Sequence, residues 1–194
     1  MSKKKGKTFG VVALIAAAGI GAAILVNHVA GIGLRVNLSH SAPVGVWRVS
    51  EFHAAELARG ELVEVCPPDA PIVQLMVDRG YLDRGNCATT RVAPLLKAIG
   101  AVPGDTVTVQ HGSAVAVNGQ PVPNTTAIAT LPAWPDGTYV VPKGHVWLFS
   151  TYTPVSFDSR YFGPVAIASI RGRARPVLVH GDAADMARIG GPQS

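Results

Sequence analysis

A chain of 194 residues, 48% hydrophobic and only 15% charged, has room for one domain of ordinary size, alone or with an anchor. That balance excludes an intrinsically disordered chain, which shows the reverse. The formal charge of +5 is concentrated at one end. Lys3, Lys4, Lys5 and Lys7 stand together, and without them 13 cations face 12 carboxylates, so the basic pI does not indicate a nucleic-acid-binding domain and no nucleic-acid partner is expected.

The first element follows directly. After Lys7 no charge appears before Arg35, and Phe9 to Val26 is a run of 18 apolar or small residues. As a helix it would span roughly 27 Å, close to the ~30 Å thickness of membrane hydrocarbon. Residues 1–30 are therefore expected to be a cytoplasmic basic start and a transmembrane anchor that contacts lipid, with everything beyond exported. The alternative is a cleaved signal peptide. Against it, the run exceeds the ~7–15 residues of a signal core, and for a cut after Ala30 the small-residue position at minus three would be filled by His28, a poor cleavage-site residue.

The exported part, residues 31–180, reads as short strands broken by turns. The 21 glycines and 15 prolines of the chain, most of them in this part, point to an all-β barrel or sandwich rather than a helical bundle. Residues 44–49 alternate as a strand. Residues 61–66 form a second, ended by Pro67 and Pro68. Residues 71–85 are expected to include a short helix. Val92 to Ile99 is a third strand, stopped by the Pro103-Gly104-Asp105 turn. Residues 106–110 and 114–117 follow, the latter capped by Asn118-Gly119, the strongest short hairpin signal. Residues 120–138, with four prolines, read as an irregular insertion. Residues 140–141, 146–149 and 165–170 complete the strands, and 181–194 read as a loose tail.

Cys66 and Cys87 both lie in the exported part. In an oxidising compartment such a pair is a disulfide in preference to a metal site; the other reading is two separate buried thiols. No phosphate-binding glycine loop and no Cys/His cluster at metal spacing is present, so no cofactor and no metal are expected.

Three segments can carry chemistry. Lys97 interrupts the apolar run Pro94 to Ile99. It either snorkels to water or is desolvated, and desolvation lowers its pKa toward a neutral amine able to act as a base. Ser39 and Ser41 lie just beyond the anchor and face one side if the chain is extended. Alone, that stretch reads as a linker. Ser156-Phe-Asp-Ser-Arg160 reads as a polar turn in which Asp158 and Arg160 can pair. Trp47, Phe157 and Phe162 serve either core packing or an apolar surface near this site.

Taken together, Ser41-x-Pro-x-Gly45 beside an anchor, Lys97 followed six residues on by Pro-Gly-Asp, and Ser156-x-Asp-Ser-Arg-x-x-Gly163 resemble the type I signal peptidase family. The closer likeness is to its conjugative-transfer (TraF-type) branch. Val115 to Pro121, Val141 to Trp147, Gly163 to Val165 and Gly172 to Ala174 add local matches, and the resemblance covers about residues 35–178. It implies an all-β periplasmic serine peptidase domain held by one N-terminal transmembrane helix in the bacterial inner membrane. It implies Ser41 as nucleophile and Lys97 as general base. Ser39, with the Ser41 N–H, would form the oxyanion hole; Ser156 would orient the lysine; Asp158 and Arg160 would shape the site as an ion pair. In some such proteins a cysteine pair before the lysine strand forms a disulfide, as Cys66 and Cys87 would here.

Two positions depart from the general family pattern: Ala42 stands where Met often follows the nucleophile, and Ala98 where Arg often follows the lysine. Ala42 fits the pilin-processing branch. The implied substrates are pilin or other secreted precursors inserted in the membrane, with cyclisation open to the acyl-enzyme. Mating-pair or type IV secretion components are the implied partners. Competing readings are a general signal peptidase, a Ser-His-Asp hydrolase drawing on His40, His53, His111, His145 or His180, and a non-enzymatic bitopic scaffold of a secretion or pilus apparatus.

Overall fold

The computed structural model describes residues 31–188 and, before them, residues 13, 17, 19–22 and 27. The expected anchor, residues 9–26, lies mostly outside the described residues; those described within it have helical backbone. Among the described residues no helix is long and apolar enough to cross a membrane. The chain divides into two units, Met1–Leu34 and Arg35–Ser194. In the first, the Asn27 side chain clasps the backbone of Leu34. Its Oδ1 accepts from Leu34 N–H at 2.9 Å, and its Nδ2 donates to Leu34 O at 3.1 Å.

The second unit is mostly β-sheet. Its strands are β1 Leu34–Asn37, β2 Val44–Ser50, β3 Leu62–Val65, β4 Leu95–Ala101, β5 Thr106–Val109, β6 Ala116–Val117, β7 Gln120–Pro121, β8 Gly137–Val140, β9 His145–Phe149, β10 Val165–Ala166 and β11 Ile170–His180. Two short helices interrupt them, α1 Pro71–Asp78 and α2 Ser159–Phe162. One sheet has seven strands in the order β1-β2-β11-β3-β4-β9-β10, the other four in the order β7-β6-β5-β8. Trp147 and Phe149 of β9 and Ala101 of β4 pack with Val107, Val109 and Val117, so the two sheets share one apolar cluster. A larger cluster runs under the seven-stranded sheet from Val63, Val65, Ile99 and Leu148 to Val73 and Met76 of α1 and Tyr161 and Phe162 of α2.

Several expected elements shift for identifiable reasons. The third strand begins at Leu95 rather than Val92, because Pro94 has no N–H to give a ladder; Val92 makes only an isolated bridge to Arg84. The expected strand at 165–170 is split by a 3₁₀ turn, Ile167–Ser169, after which the chain enters β11, an 11-residue strand joining β2 to β3. In the segment 181–194, Ala183–Met186 forms a 3₁₀ turn and Met186 is fully buried beside Trp47, while 189–194 lie outside the described residues.

Cys66 and Cys87 form a disulfide with Cα atoms 5.6 Å apart. It closes the segment holding α1 back onto the end of β3. Constraining a loop of that size is worth about 3 kcal/mol in the chain-entropy view.

Candidate active site

Ser41 lies in the turn between β1 and β2, and the last residue of β1 shapes that turn. Asn37 Oδ1 accepts from Ser39 N–H at 3.1 Å, while Asn37 Nδ2 reaches the carbonyls of Ser39, Ala42 and Pro43 at 3.0–3.1 Å. Trp47 Nε1 donates to Pro43 O at 3.0 Å from a fully buried ring. Gly45 follows with φ +143°, and a Cβ there would fall 2.2 Å from Leu178 O of β11. Only glycine lets the outgoing strand pass so close to β11.

Lys97 is in the middle of β4, an interior strand of the seven-stranded sheet. Its registered partner Val63 and its neighbours Ala98 and Ile99 are fully buried, and Lys97 itself is 1% exposed. The side chain does not snorkel. Nζ lies 3.0 Å from Ser41 Oγ, across 56 residues of chain. Burial brings the ammonium down from 10.5 to about 8; the Asp158 carboxylate pulls the other way and Arg160 adds to the lowering. The Ser39 and Ser41 hydroxyls are 3.0 Å apart, with Ser39 itself exposed.

A neutral lysine base is easiest to picture with no carboxylate near it, and here Asp158 is near enough to matter. The carboxylate is itself engaged. Arg160 donates to it through Nε and Nη2, each at 2.8 Å, with both side chains 0% exposed. Asp158 also caps α2 by accepting from Arg160 N–H. The rest of the guanidinium reaches the carbonyls of Asn124 and Pro154 at 2.8 and 3.0 Å, so this pair also ties down the 120–138 insertion. The segment that reads as a polar turn is thus buried throughout and leads into a short helix.

Ser156 differs from expectation. Its hydroxyl is buried and makes no hydrogen bond, so the expected link to Lys97 is not formed. Ser156→Ala removes an unsatisfied buried hydroxyl and is expected to raise stability by about 1 kcal/mol. A denaturant titration showing a loss of that size would mean that the hydroxyl has a partner after all.

Among the described residues no histidine hydrogen-bonds the Ser41 hydroxyl. The Ser41 hydroxyl has Lys97 and Ser39 as its partners, His40 is exposed, and His145 Nδ1 faces Lys143 O at 3.3 Å. Trp47, Phe157 and Phe162 are core residues, at 0, 8 and 2% exposure. The exposed large apolar side chains nearest Ser41 in sequence and strand order are instead Val36 and Leu38, beside β2, and Leu178, which pairs with Val46.

Ser150 belongs to none of the motifs in the sequence. It follows β9 directly and is 0% exposed. Its hydroxyl donates to Ser41 O at 2.9 Å, and its N–H donates to Asp158 Oδ2 at 3.2 Å. The only local signal is a serine ending an apolar strand six residues before Ser156.

A buried amine thus lies within hydrogen-bond distance of a half-buried serine, with a second hydroxyl alongside. The family described as "Signal peptidase, peptidase S26" matches residues 6–179, and the chain belongs to that family of serine peptidases. It is 39% identical, over 71% of this chain and 78% of the relative, to a protein named "Conjugal transfer protein TraF" from Agrobacterium tumefaciens (strain 15955). It is 31% identical, over 85% and 88%, to "Plasmid transfer protein TraF" from Escherichia coli. A solved signal peptidase I from Enterococcus faecalis V583 superposes with a TM-score of 0.36 at 19% identity, over 64% of this chain and 98% of that one.

Proposed function

We propose that this chain is a membrane-anchored endopeptidase in which Ser41 is the nucleophile and Lys97 its general base. Its substrates would be exported, membrane-inserted precursors, foremost a conjugative pilin during plasmid transfer. The observation that carries this reading is the 3.0 Å contact between the buried Lys97 amine and the Ser41 hydroxyl.

The chemistry follows from that pair. The neutral Lys97 amine takes the Ser41 proton as Oγ attacks the scissile carbonyl carbon. The oxyanion is held by the Ser41 N–H and the Ser39 hydroxyl; loss of one such donor typically costs ~10²–10³ in rate. The tetrahedral intermediate collapses, the C–N bond breaks, and the Lys97 ammonium returns its proton to the departing amine. Water, activated by the same lysine, then releases the acyl group. An amine of the substrate attacking in place of water would give a cyclic product.

Residues 9–26 would hold the catalytic domain at the periplasmic face of the inner membrane, with the basic N-terminus in the cytoplasm. Ser41 follows that segment by about 15 residues, which keeps the chemistry near the lipid surface. Exposed Val36, Leu38 and Leu178 suit an apolar substrate segment there. The conjugal and plasmid transfer relatives favour a dedicated precursor over general signal-peptide removal. Components of the transfer apparatus would be its neighbours.

In a Ser41→Ala strain an uncut membrane precursor is expected to accumulate, visible by mass spectrometry of the membrane fraction, with the variant itself folded and inserted. Normal maturation in that strain would remove the reading. Rescue of a cell depleted of its own signal peptidase would point to a broad-substrate enzyme.

A further inference from the structure

We infer that Ser150 is a positioning residue for the nucleophile, and that the buried Asp158–Arg160 pair acts on Ser41 through it. This rests on the reading of Ser41 as nucleophile.

The argument begins with what fixes Ser150. It follows Phe149, whose registered partner is Ala98, the neighbour of Lys97. Both of its backbone groups face the ion pair: its N–H donates to Asp158 Oδ2 at 3.2 Å, and its C=O accepts from Arg160 Nη2 at 3.4 Å. The hydroxyl is equally constrained. It accepts from Tyr152 N–H at 3.3 Å, which leaves its own proton for Ser41 O at 2.9 Å, and at 0% exposure no bulk water competes. Its donor direction is therefore set by the fold.

That hydrogen bond has a particular consequence. It holds the carbonyl of the nucleophilic residue and so limits rotation about ψ of residue 41. Asn37 fixes the carbonyls on either side, those of Ser39, Ala42 and Pro43, but makes no bond to Ser41 O. Ser150 supplies the remaining constraint, from 109 residues away in sequence. With the peptide plane after Ser41 held, Oγ is kept at its distance from Lys97. Proton transfer and attack both depend on that separation, and a misplacement of about 1 Å costs on the order of 10²-fold in rate. The ion pair makes no hydrogen bond to Ser41 or Lys97, and it gains a physical route to the nucleophile: Arg160 to Asp158 to Ser150 to Ser41.

The test uses the full chain in phosphatidylethanolamine/phosphatidylglycerol vesicles, with a quenched fluorescent peptide carrying alanine on the acyl side of the cut. Four variants are compared with the parent: Ser150→Ala, Ser150→Cys, Ser41→Ala and Lys97→Ala. Ser150→Ala is expected to lower kcat roughly 10- to 100-fold, with KM within about twofold, an unchanged midpoint in the pH profile and a cooperative thermal transition. Ser150→Cys, nearly isosteric with a weak donor, should fall between serine and alanine. A folded Ser150→Ala with parental kcat, or a loss confined to KM, overturns the proposal. So does a pH midpoint that moves with the loss, since that would place the effect on Lys97. If Ser150→Ala does not fold, Ser150→Cys decides: parental kcat overturns the proposal and a selective drop in kcat supports it. Failure of the underlying reading looks different, because Ser41→Ala or Lys97→Ala would then still cut the peptide.

Discussion

Lys97→Met is expected to abolish cleavage and, at pH 7, to make the protein more stable. The two effects have one cause. Burial lowers the lysine from 10.5 to about 8, which means that the folded state disfavours the ammonium that the unfolded chain carries freely. At about 1.4 kcal/mol per unit the penalty is about 3 kcal/mol. It is present in full below about pH 8, where both states are protonated. It fades as pH rises from about 8 to 10.5, where the folded state is neutral and the unfolded chain loses its proton. Methionine has similar length and no charge, so the side-chain volume is largely kept. Denaturant unfolding of parent and variant should show a gain of about 2–3 kcal/mol at pH 7 that shrinks toward zero near pH 10.5. A destabilised variant at pH 7, or a difference that does not vary with pH, would show that the lysine is not desolvated as described. Retained cleavage would remove it as the base.

Asp158→Asn carries the second large effect. The Arg160 guanidinium is 0% exposed, and its carboxylate partner accepts two hydrogen bonds from it. Removing one charge of a buried pair strands the other, at a cost of about 3–5 kcal/mol. For a domain whose whole stability is on the order of 5–15 kcal/mol, the thermal midpoint should fall by many degrees. The 120–138 insertion, held by Arg160 through Asn124 O, should loosen with it. The catalytic consequence has a definite sign. Asp158 raises the Lys97 pKa and Arg160 lowers it, so a neutral side chain at 158 leaves an unopposed cation near the lysine. The midpoint of the rate–pH curve of whatever activity remains should move below about 8, measured at low temperature where the variant stays folded. A midpoint that rises or stays put would separate Asp158 from the lysine's electrostatics.

Much of the sheet could be read from alternation. Residues 44–49, 61–66, 106–110 and 146–149 carry β-branched or aromatic side chains at every second position, and each is a strand. β11 could not be read that way. Its first half alternates arginine with glycine and alanine and then meets Pro176, which suggests no strand. It is a strand through its ladders to β2 and β3, and two of its arginines meet acids across the sheet: Arg173 pairs with Glu61 at 2.9 Å, and Arg171 approaches Glu64 at 3.7 Å. β1 is a four-residue edge strand, too short for a pattern to emerge.

The site shows a similar division. Lys97 stands out as a cation in an apolar run, whereas Ser41 reads as part of a linker until it is set beside the Lys97 and Ser156–Gly163 segments. That they meet at 3.0 Å is a property of the folded sheet. The burial of Asp158 and Arg160 was hidden, since two charges within three residues read as solvent-exposed. Ser150 was hidden for another reason. Its partners lie eight and 109 residues away, and an isolated serine after an apolar strand carries no local mark of either.

The rate–pH profile of the parent protein tests the central assignment most directly. If cleavage requires the uncharged Lys97 amine, kcat/KM should rise about tenfold per pH unit on the acid side, bend at a single midpoint near 8 and level off above it. A midpoint near 6.5, where an imidazole titrates, or a rate independent of pH from 6 to 9, roughly the span over which the amine would change charge, would contradict it.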